Sequence, residues 1–166
     1  MLTYQTAPLT APVRVSGAPI ADIYAKTTGT DADFVVKVID VYPDEVASNP
    51  KMGGYQLPIA FDIFRGRYRD SFAKPTPIPA DAVQRYSFRL PTVNHVFLPG
   101  HRIMVQIQST LFPLYDRNPQ TYVDNIFFAK PADYRKATIT IERGGTNASA
   151  VRLPVVPVAQ AQVAGK

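Results

Sequence analysis

The sequence has no cysteine, no tryptophan and only two histidines among 166 residues. Without cysteine the chain can form no disulfide, no thiolate metal site and no cysteine nucleophile. No apolar run approaches the roughly 20 residues that a membrane-spanning helix needs, and no charged leader precedes an apolar core. We therefore expect no membrane partner.

Motifs of self-contained enzymes are missing as well. No serine lies in a G-x-S-x-G nucleophile elbow. The glycine pairs Gly53-Gly54 and Gly144-Gly145 are not followed by a lysine and a helix start, so neither predicts a phosphate-binding loop. We therefore predict no catalytic residue, no cofactor and no metal in this chain.

Histidines and aspartates are the candidates for a metal or proton-transfer site. His95 and His101 flank a Leu-Pro-Gly turn and could face each other as a metal pair or a general base. Asp31 and Asp33, with Asp40 further along, could offer oxygens to calcium. No third ligand accompanies the histidines, and aspartates in a Gly-Thr-Asp turn usually cap backbone amides. We favour structural hydrogen bonding for both groups.

The chain is basic, with a net charge of +5 and a pI near 9.5, which would suit a polyanionic partner. The basic residues are scattered except for Arg65, Arg67 and Arg69, which are predicted to line one face of a strand. Arginines interleaved with aromatic residues can bind nucleic acid. We favour their pairing with Asp62, Asp70 or carboxylates of a neighbouring domain, and expect no nucleic-acid partner.

The composition favours β-strands separated by turns, because it includes 16 prolines, 9 tyrosines and 9 phenylalanines. The predicted strands are residues 13–15, 20–26, 34–42, 57–68, 84–90, 102–110, 137–143 and 151–156. Strands at this spacing indicate an all-β fold, an antiparallel sandwich or barrel. Residues 34–42 are apolar on nearly both faces, so they should lie centrally. We expect one domain over residues 1–157 and a flexible tail over 158–166.

Residues 100–121 are the most informative segment of the chain. Apolar side chains fall at every second position from Ile103 to Ile107, which predicts a half-buried strand. The loop that follows contains two prolines, which deny it a regular ladder partner. There Asp116, Arg117 and Asn118 can bind one another and the free backbone groups. We expect this loop to be ordered by its own polar contacts and to act through what it packs against.

Three segments in this order resemble one protein family. They read TDADFVVKVIDVYPD at 30–44, DIFRGRYRDSF at 62–72 and, from Gly100 to Thr121, the segment just described. They look like the C-terminal domain of the X-Pro dipeptidyl-peptidase and cocaine esterase group of serine hydrolases. The similarity is closest to α-amino-acid ester hydrolases, the β-lactam antibiotic acylases also called glutaryl acylases. It runs from Leu2 to about Val156, with a slight departure at Leu111.

This resemblance implies a jelly-roll β-sandwich of the galactose-binding-domain-like kind, following an α/β-hydrolase domain that carries a Ser-His-Asp triad. In that family the triad precedes the part represented here, so no triad residue maps onto this chain. The implied role is a non-catalytic domain that braces the catalytic domain and its substrate cleft. The isolated chain should be inactive, and its parent should hydrolyse acyl esters, amides or X-Pro dipeptides.

The partner that the resemblance implies is the α/β-hydrolase domain of the same parent chain. The residues after Met1 look like the middle of a fold, so we expect the chain to be a piece of a longer protein. Our hypothesis is that the interface consists of Phe112, Tyr115, Asp116, Arg117 and Asn118. The resemblance also allows a homo-oligomer of the full-length enzyme. Family members occur in several compartments, and we favour the periplasm or the cell exterior over the cytoplasm.

The alternative is a free-standing carbohydrate-binding module. Tyr55, Tyr115 and Tyr122 lie in loop-like segments and could form a stacking platform for a sugar. The absence of tryptophan weakens this interpretation, because tryptophan usually offers the strongest stacking surface.

Overall fold

Antiparallel β-strands form most of the regular structure in the computed structural model, which describes residues 1–157. In this range the strands are β1 (Leu2–Gln5), β2 (Val13–Gly17), β3 (Ile20–Thr27), β4 (Asp33–Val41), β5 (Gln56–Arg65), β6 (Gln84–Arg89), β7 (Val93–Phe97), β8 (Arg102–Gln108), β9 (Ile139–Ile141), β10 (Ala150–Arg152) and β11 (Val155–Val156).

Helical structure in residues 1–157 is limited to short 3₁₀ turns. They cover Pro50–Met52, Gly66–Tyr68, Ile126–Phe128, Pro131–Asp133 and Gly145–Asn147. None of the helices in this part of the chain has the length and hydrophobicity of a membrane span. The tail predicted at 158–166 lies outside the described residues.

The first sheet has four strands in the order β1-β8-β4-β5. Strand β4 pairs with β5 from Asp33 opposite Arg65 to Val41 opposite Gln56, and with β8 on its other side. The prediction that residues 34–42 lie centrally is therefore confirmed. An apolar segment belongs there because both of its faces are covered.

The second sheet has the strands β10-β3-β6, and the third has the strands β11-β2-β7. Each strand of one leads into a strand of the other through a short segment, and these three segments contain Pro154, Pro19 and Pro91. Proline has no N–H to donate to a ladder, so all three strands break at the same level. The backbone N–H of Leu90 donates to the carbonyl of Pro19 at 2.8 Å, between two of these segments. Strand β9 pairs with residues 25–27 of β3, whereas β10 pairs with residues 20–22.

The core lies between the first sheet and the other two. The rings of Phe34 in β4 and Tyr86 in β6 approach to 4.1 Å between centroids, and those of Phe64 and Phe88 stack at 5.1 Å. Each pair joins the first sheet to the second, so the all-β sandwich predicted from the sequence is confirmed.

Burial raises the pKa of the Tyr86 hydroxyl to about 12. On β3, the central strand of the second sheet, Asp22 accepts hydrogen bonds from Arg85 at 2.7 Å and Arg152 at 2.8 Å. The bond from Arg85 is the main cause that lowers the pKa of Asp22. This carboxylate therefore fastens β6 and β10 to β3 by charge as well as by the ladder.

Some local predictions are wrong. The strand predicted at 57–68 ends at Arg65, where a 3₁₀ turn begins, and strands β1 and β7 were not predicted. Strand β8 was predicted to be half-buried, but Met104 and Gln106 on its more polar side are buried as well, and Met104 clusters with Ile39 and Val41. The second face of the first sheet is thus partly covered.

Candidate domain interface

The long connection between β8 and β9, residues 109–138, exposes large apolar side chains. Their exposed fractions are 63% for Phe112, 64% for Leu114, 70% for Phe127, 80% for Phe128 and 41% for Tyr134. A single exposed hydrophobic residue needs no explanation, whereas several on one segment indicate a contact surface.

We call these side chains, together with Phe72, the apolar face. The guanidinium of Arg117 lies 5.6 Å from the ring of Phe112 and 5.7 Å from that of Tyr134. A groove of about 430 Å³ separates Phe127 from Tyr68, and Tyr68 stacks on Phe72 at 6.2 Å. Phe72 is 80% exposed. The surface therefore extends from the long connection to the end of β5.

A buried ion pair supports the apolar face. Nε and Nη2 of Arg67 donate to Oδ2 of Asp31 at 2.8 and 2.6 Å, and the N–H of Ala32 donates to Oδ1 at 2.9 Å. The guanidinium also lies 4.6 Å from the ring centroid of Tyr122. The Tyr122 hydroxyl donates to the carbonyl of Pro75 at 3.2 Å. Arg67 thus links the end of β5 to the long connection.

Asp33 forms a second buried link. Nδ2 of Asn118 donates to its Oδ1 at 2.9 Å, and Nε of Arg65 lies 4.0 Å from its Oδ2. Burial raises the pKa of Asp33 to about 6, although Arg65 and the Asn118 bond act in the opposite direction. Oδ1 of Asn118 accepts the N–H of Gln120 at 2.8 Å. The start of β4 therefore holds the turn at 118–120.

The same turn is held by a close backbone approach. The N–H of Thr30 donates to the carbonyl of Gln120 at 3.1 Å, and the N–H of Tyr122 donates to Oγ1 of Thr30 at 2.8 Å. A Cβ on Gly29 would overlap with the carbonyl oxygen of Gln120, so this position requires glycine. The long connection is thereby fixed in one place on the sandwich.

The predicted interface residues take different positions. Phe112 and Arg117 are on or beside the apolar face, Asp116 is exposed, Tyr115 is half-buried and Asn118 is buried beneath the surface. Asp116, Arg117 and Asn118 form no side-chain hydrogen bonds with one another in the described residues. Instead, the Asp116 carbonyl accepts a hydrogen bond from Arg65, and Arg117 lies near two aromatic rings. Asn118 donates to Asp33. The prediction that the loop is ordered by its own polar contacts is wrong to that extent, because β4 and β5 supply most of the order.

The histidines form structural hydrogen bonds, as we favoured. Nε2 of His95 lies 2.8 Å from Oδ2 of Asp40, and Nδ1 of His101 lies 2.8 Å from Oδ1. Asp40 therefore joins β4 to β7 and to the turn that precedes β8, two elements that belong to different sheets. In residues 1–157 no group of three or more His, Asp or Glu side chains is arranged to hold a metal ion.

The arginine prediction is wrong in geometry and partly right in partners. Arg67 lies in a 3₁₀ turn after β5 and is buried, so the three arginines do not share a strand face. Arg69 pairs with Asp70 at 3.5 Å, as predicted. The pairing of Arg67 with Asp31 was missed, because the two residues are far apart in sequence and no local pattern connects them.

The tyrosines proposed as a sugar platform do not lie together. Tyr55 bonds through its backbone to Tyr42, at the end of β4, whereas Tyr122 bonds to Thr30, before β4 begins. The nine residues of β4 between them span about 30 Å. A platform of Tyr55, Tyr115 and Tyr122 therefore cannot form.

An antiparallel β-sandwich with a wide exposed apolar face is the architecture of an accessory module. Residues 1–152 match the family described as the X-Pro dipeptidyl-peptidase C-terminal non-catalytic domain, and the chain belongs to that family. The resemblance seen in the sequence is thereby confirmed.

Individual relatives agree with this assignment. The chain is 35% identical over 156 residues to a cocaine esterase from Rhodococcus sp. (strain MB1 Bresler), covering 94% of this chain and 25% of the esterase. An α-amino acid ester hydrolase of known structure is 59% identical, with a TM-score of 0.92 over 93% of this chain and 25% of that one. An aminopeptidase from a marine sediment archaeon, Thaumarchaeota archaeon, is 55% identical, with a TM-score of 0.92 over 94% of this chain and 26% of that one. The chain spans about a quarter of these relatives' length.

Proposed function

We propose that this domain docks onto the α/β-hydrolase domain of its parent chain through the apolar face and braces that domain and its substrate cleft. The observation that carries the proposal is the exposure of Phe72, Phe112, Leu114, Phe127, Phe128 and Tyr134. Contacts place Phe112 and Tyr134 beside Arg117, and a groove joins Phe127 to Tyr68, which stacks on Phe72. Burying one such side chain contributes about 1.5 to 3 kcal/mol, so the face could supply most of a stable domain contact.

The polar network beneath the face supports this role. The links from Asp31 to Arg67 and from Asp33 to Asn118 hold the long connection in place before any partner binds. A surface that is already ordered loses less conformational entropy on docking than a mobile loop would. The domain therefore acts as a rigid support.

The parent chain is proposed to be a serine hydrolase acting on acyl esters, amides or X-Pro dipeptides. The names of the relatives support this class of reaction: one is an esterase, one an ester hydrolase and one an aminopeptidase. The isolated chain is expected to hydrolyse no ester above the buffer rate. A location outside the cytoplasm and a homo-oligomeric parent stay predictions.

The docking proposal can be tested in a chimera. This chain replaces the matching quarter of the α-amino acid ester hydrolase, to which it is 59% identical. Changing Leu114→Asp and Phe128→Asp together should lower the temperature of half-inactivation and speed proteolysis between the domains. The physical reason is that each change places a charge in a contact that should be apolar.

Leu98→Asp is the matched control. Leu98 is 52% exposed and lies between β7 and β8, at the end of the sandwich away from the apolar face. The changes at Leu98, Leu114 and Phe128 should each alter the free energy of unfolding of the 166-residue chain in urea by less than about 0.5 kcal/mol, since these side chains are exposed. If Leu98→Asp weakens the chimera as much as the changes on the apolar face, the docking proposal is wrong.

A further inference from the structure

A cavity of about 500 Å³ opens beside the apolar face. One part of its wall is apolar and consists of Phe34, Ile107, Ile139 and Ile141. Arg117 and Tyr134 line this cavity and also lie at the apolar face. Its volume falls in the range of sites that hold a ligand or a short segment of chain. The cavity is therefore continuous with the proposed docking surface.

The rim of the cavity carries positive charge. Arg117, Arg135 and Lys136 line it, and within residues 1–157 none of them has a carboxylate within 4.0 Å. Asp33 also lines the cavity, but it is buried and already bonded to Asn118. A partner that carries carboxylates would meet three cations there, with an apolar wall behind them.

Gln120 adds an amide group to the cavity. The Oε1 atom of its carboxamide is buried and, among the described residues, has no hydrogen-bond partner. Its backbone has φ of +63°, which is uncommon for a residue other than glycine. A buried polar atom without a protein partner leaves one hydrogen bond for a water molecule or a ligand to supply. A carboxamide can both donate to and accept from a peptide group.

We propose that this cavity receives an acidic polypeptide segment of the hydrolase domain. The Gln120 carboxamide bonds to the backbone of the segment, the rim cations pair with its carboxylates, and the apolar wall takes one of its side chains. This inference rests on the proposed function, because the segment comes from the domain that docks on the apolar face. It adds the chemistry that aligns the two domains.

The test uses short overlapping peptides that cover the three quarters of the α-amino acid ester hydrolase outside the shared region. Binding to the 166-residue chain is measured by fluorescence anisotropy of labelled peptides. We expect the bound peptides to contain Asp or Glu, and their Asn or Gln versions to bind about 10- to 100-fold more weakly. A change of Arg117→Gln should weaken binding in the same direction.

Gln120→Gly separates recognition from folding. Glycine accepts positive φ, so this change should leave stability nearly unchanged while peptide affinity falls about tenfold. Asp81→Gly is the matched control, because Asp81 is exposed, has φ of +60° and does not line the cavity. It should leave peptide affinity unchanged.

The outcomes distinguish the two proposals. If no acidic peptide binds, or if Gln120→Gly binds as the unchanged chain does, the cavity inference is overturned. Should the changes at Leu114 and Phe128 still weaken the chimera, the docking proposal stands without it. Competition by free glutarate as effective as by the peptides would indicate a site for small carboxylates and would also overturn the inference.

Discussion

Breaking the buried pair of Asp31 and Arg67 should be among the most destabilising single changes in this domain. Arg67→Met keeps an unbranched apolar stem but removes the guanidinium. Asp31 would then be a fully buried carboxylate whose remaining hydrogen bond comes from the N–H of Ala32. The ring of Tyr122 would also lose the cation that lies 4.6 Å from its centroid.

The magnitude follows from the cost of an uncompensated buried charge. Removing one partner of such a pair costs about 3 to 5 kcal/mol, and a domain of this kind has about 5 to 15 kcal/mol in total. Asp31→Asn combined with Arg67→Met removes the orphaned charge. The double variant should therefore be less destabilised than the sum of the singles by about 1 to 3 kcal/mol.

The assay is urea unfolding followed by circular dichroism and tyrosine fluorescence, with free energies from linear extrapolation. Arg89→Met is the matched control, since Arg89 is exposed and forms no ion pair in the described residues. It should change the free energy of unfolding by less than about 0.5 kcal/mol. If Arg67→Met costs no more than Arg89→Met, the reasoning about this pair is refuted.

Two further predictions concern aspartates of β4. Because the pKa of Asp33 is raised to about 6, its contribution to stability is fully present below pH 3.8 and is lost as pH rises through 6. Between pH 4 and pH 8 the unchanged chain should lose about 2 to 3 kcal/mol relative to Asp33→Asn, and parallel pH profiles would contradict this. Asp40→Leu removes the acceptor shared by His95 and His101 and should cost about 2 to 4 kcal/mol in urea unfolding. The exposed Asp44→Leu serves as its control, and an equal effect of the two changes would show that the bridge contributes nothing.

The place of a strand within its sheet could be predicted where the composition of the segment matches its burial. Residues 34–42 are apolar at most positions, which is possible only for a strand covered on both sides, and β4 is that strand. The prolines marked the strand ends, but not that Pro19, Pro91 and Pro154 lie level with one another. That alignment depends on the pairing of β3 with β6 and β10, which no local pattern specifies.

Interface residues were predictable only in part. Phe112 and Arg117 were identified because they lie in a loop with an unusual mixture of side chains. Phe127, Phe128 and Tyr134 were missed, because an exposed aromatic residue and a buried one look alike in sequence. Arg67 was misplaced since alternating arginines fit a strand, whereas its real position is set by Asp31, which precedes β4.

Strand pairing between the chain ends has a consequence for biosynthesis. Leu2 pairs with Ile107, so the first sheet is complete only once β8 is available, and Val156 pairs with Arg14, so the sheet of β11-β2-β7 closes only at the end of the described residues. Contacts of such long sequence separation make folding slow and leave unpaired strand edges open to aggregation in the meantime. In a parent protein where this module is synthesised last, the hydrolase domain would be complete first. Its surface could then act as a template that captures the nascent sandwich and shields it from other chains.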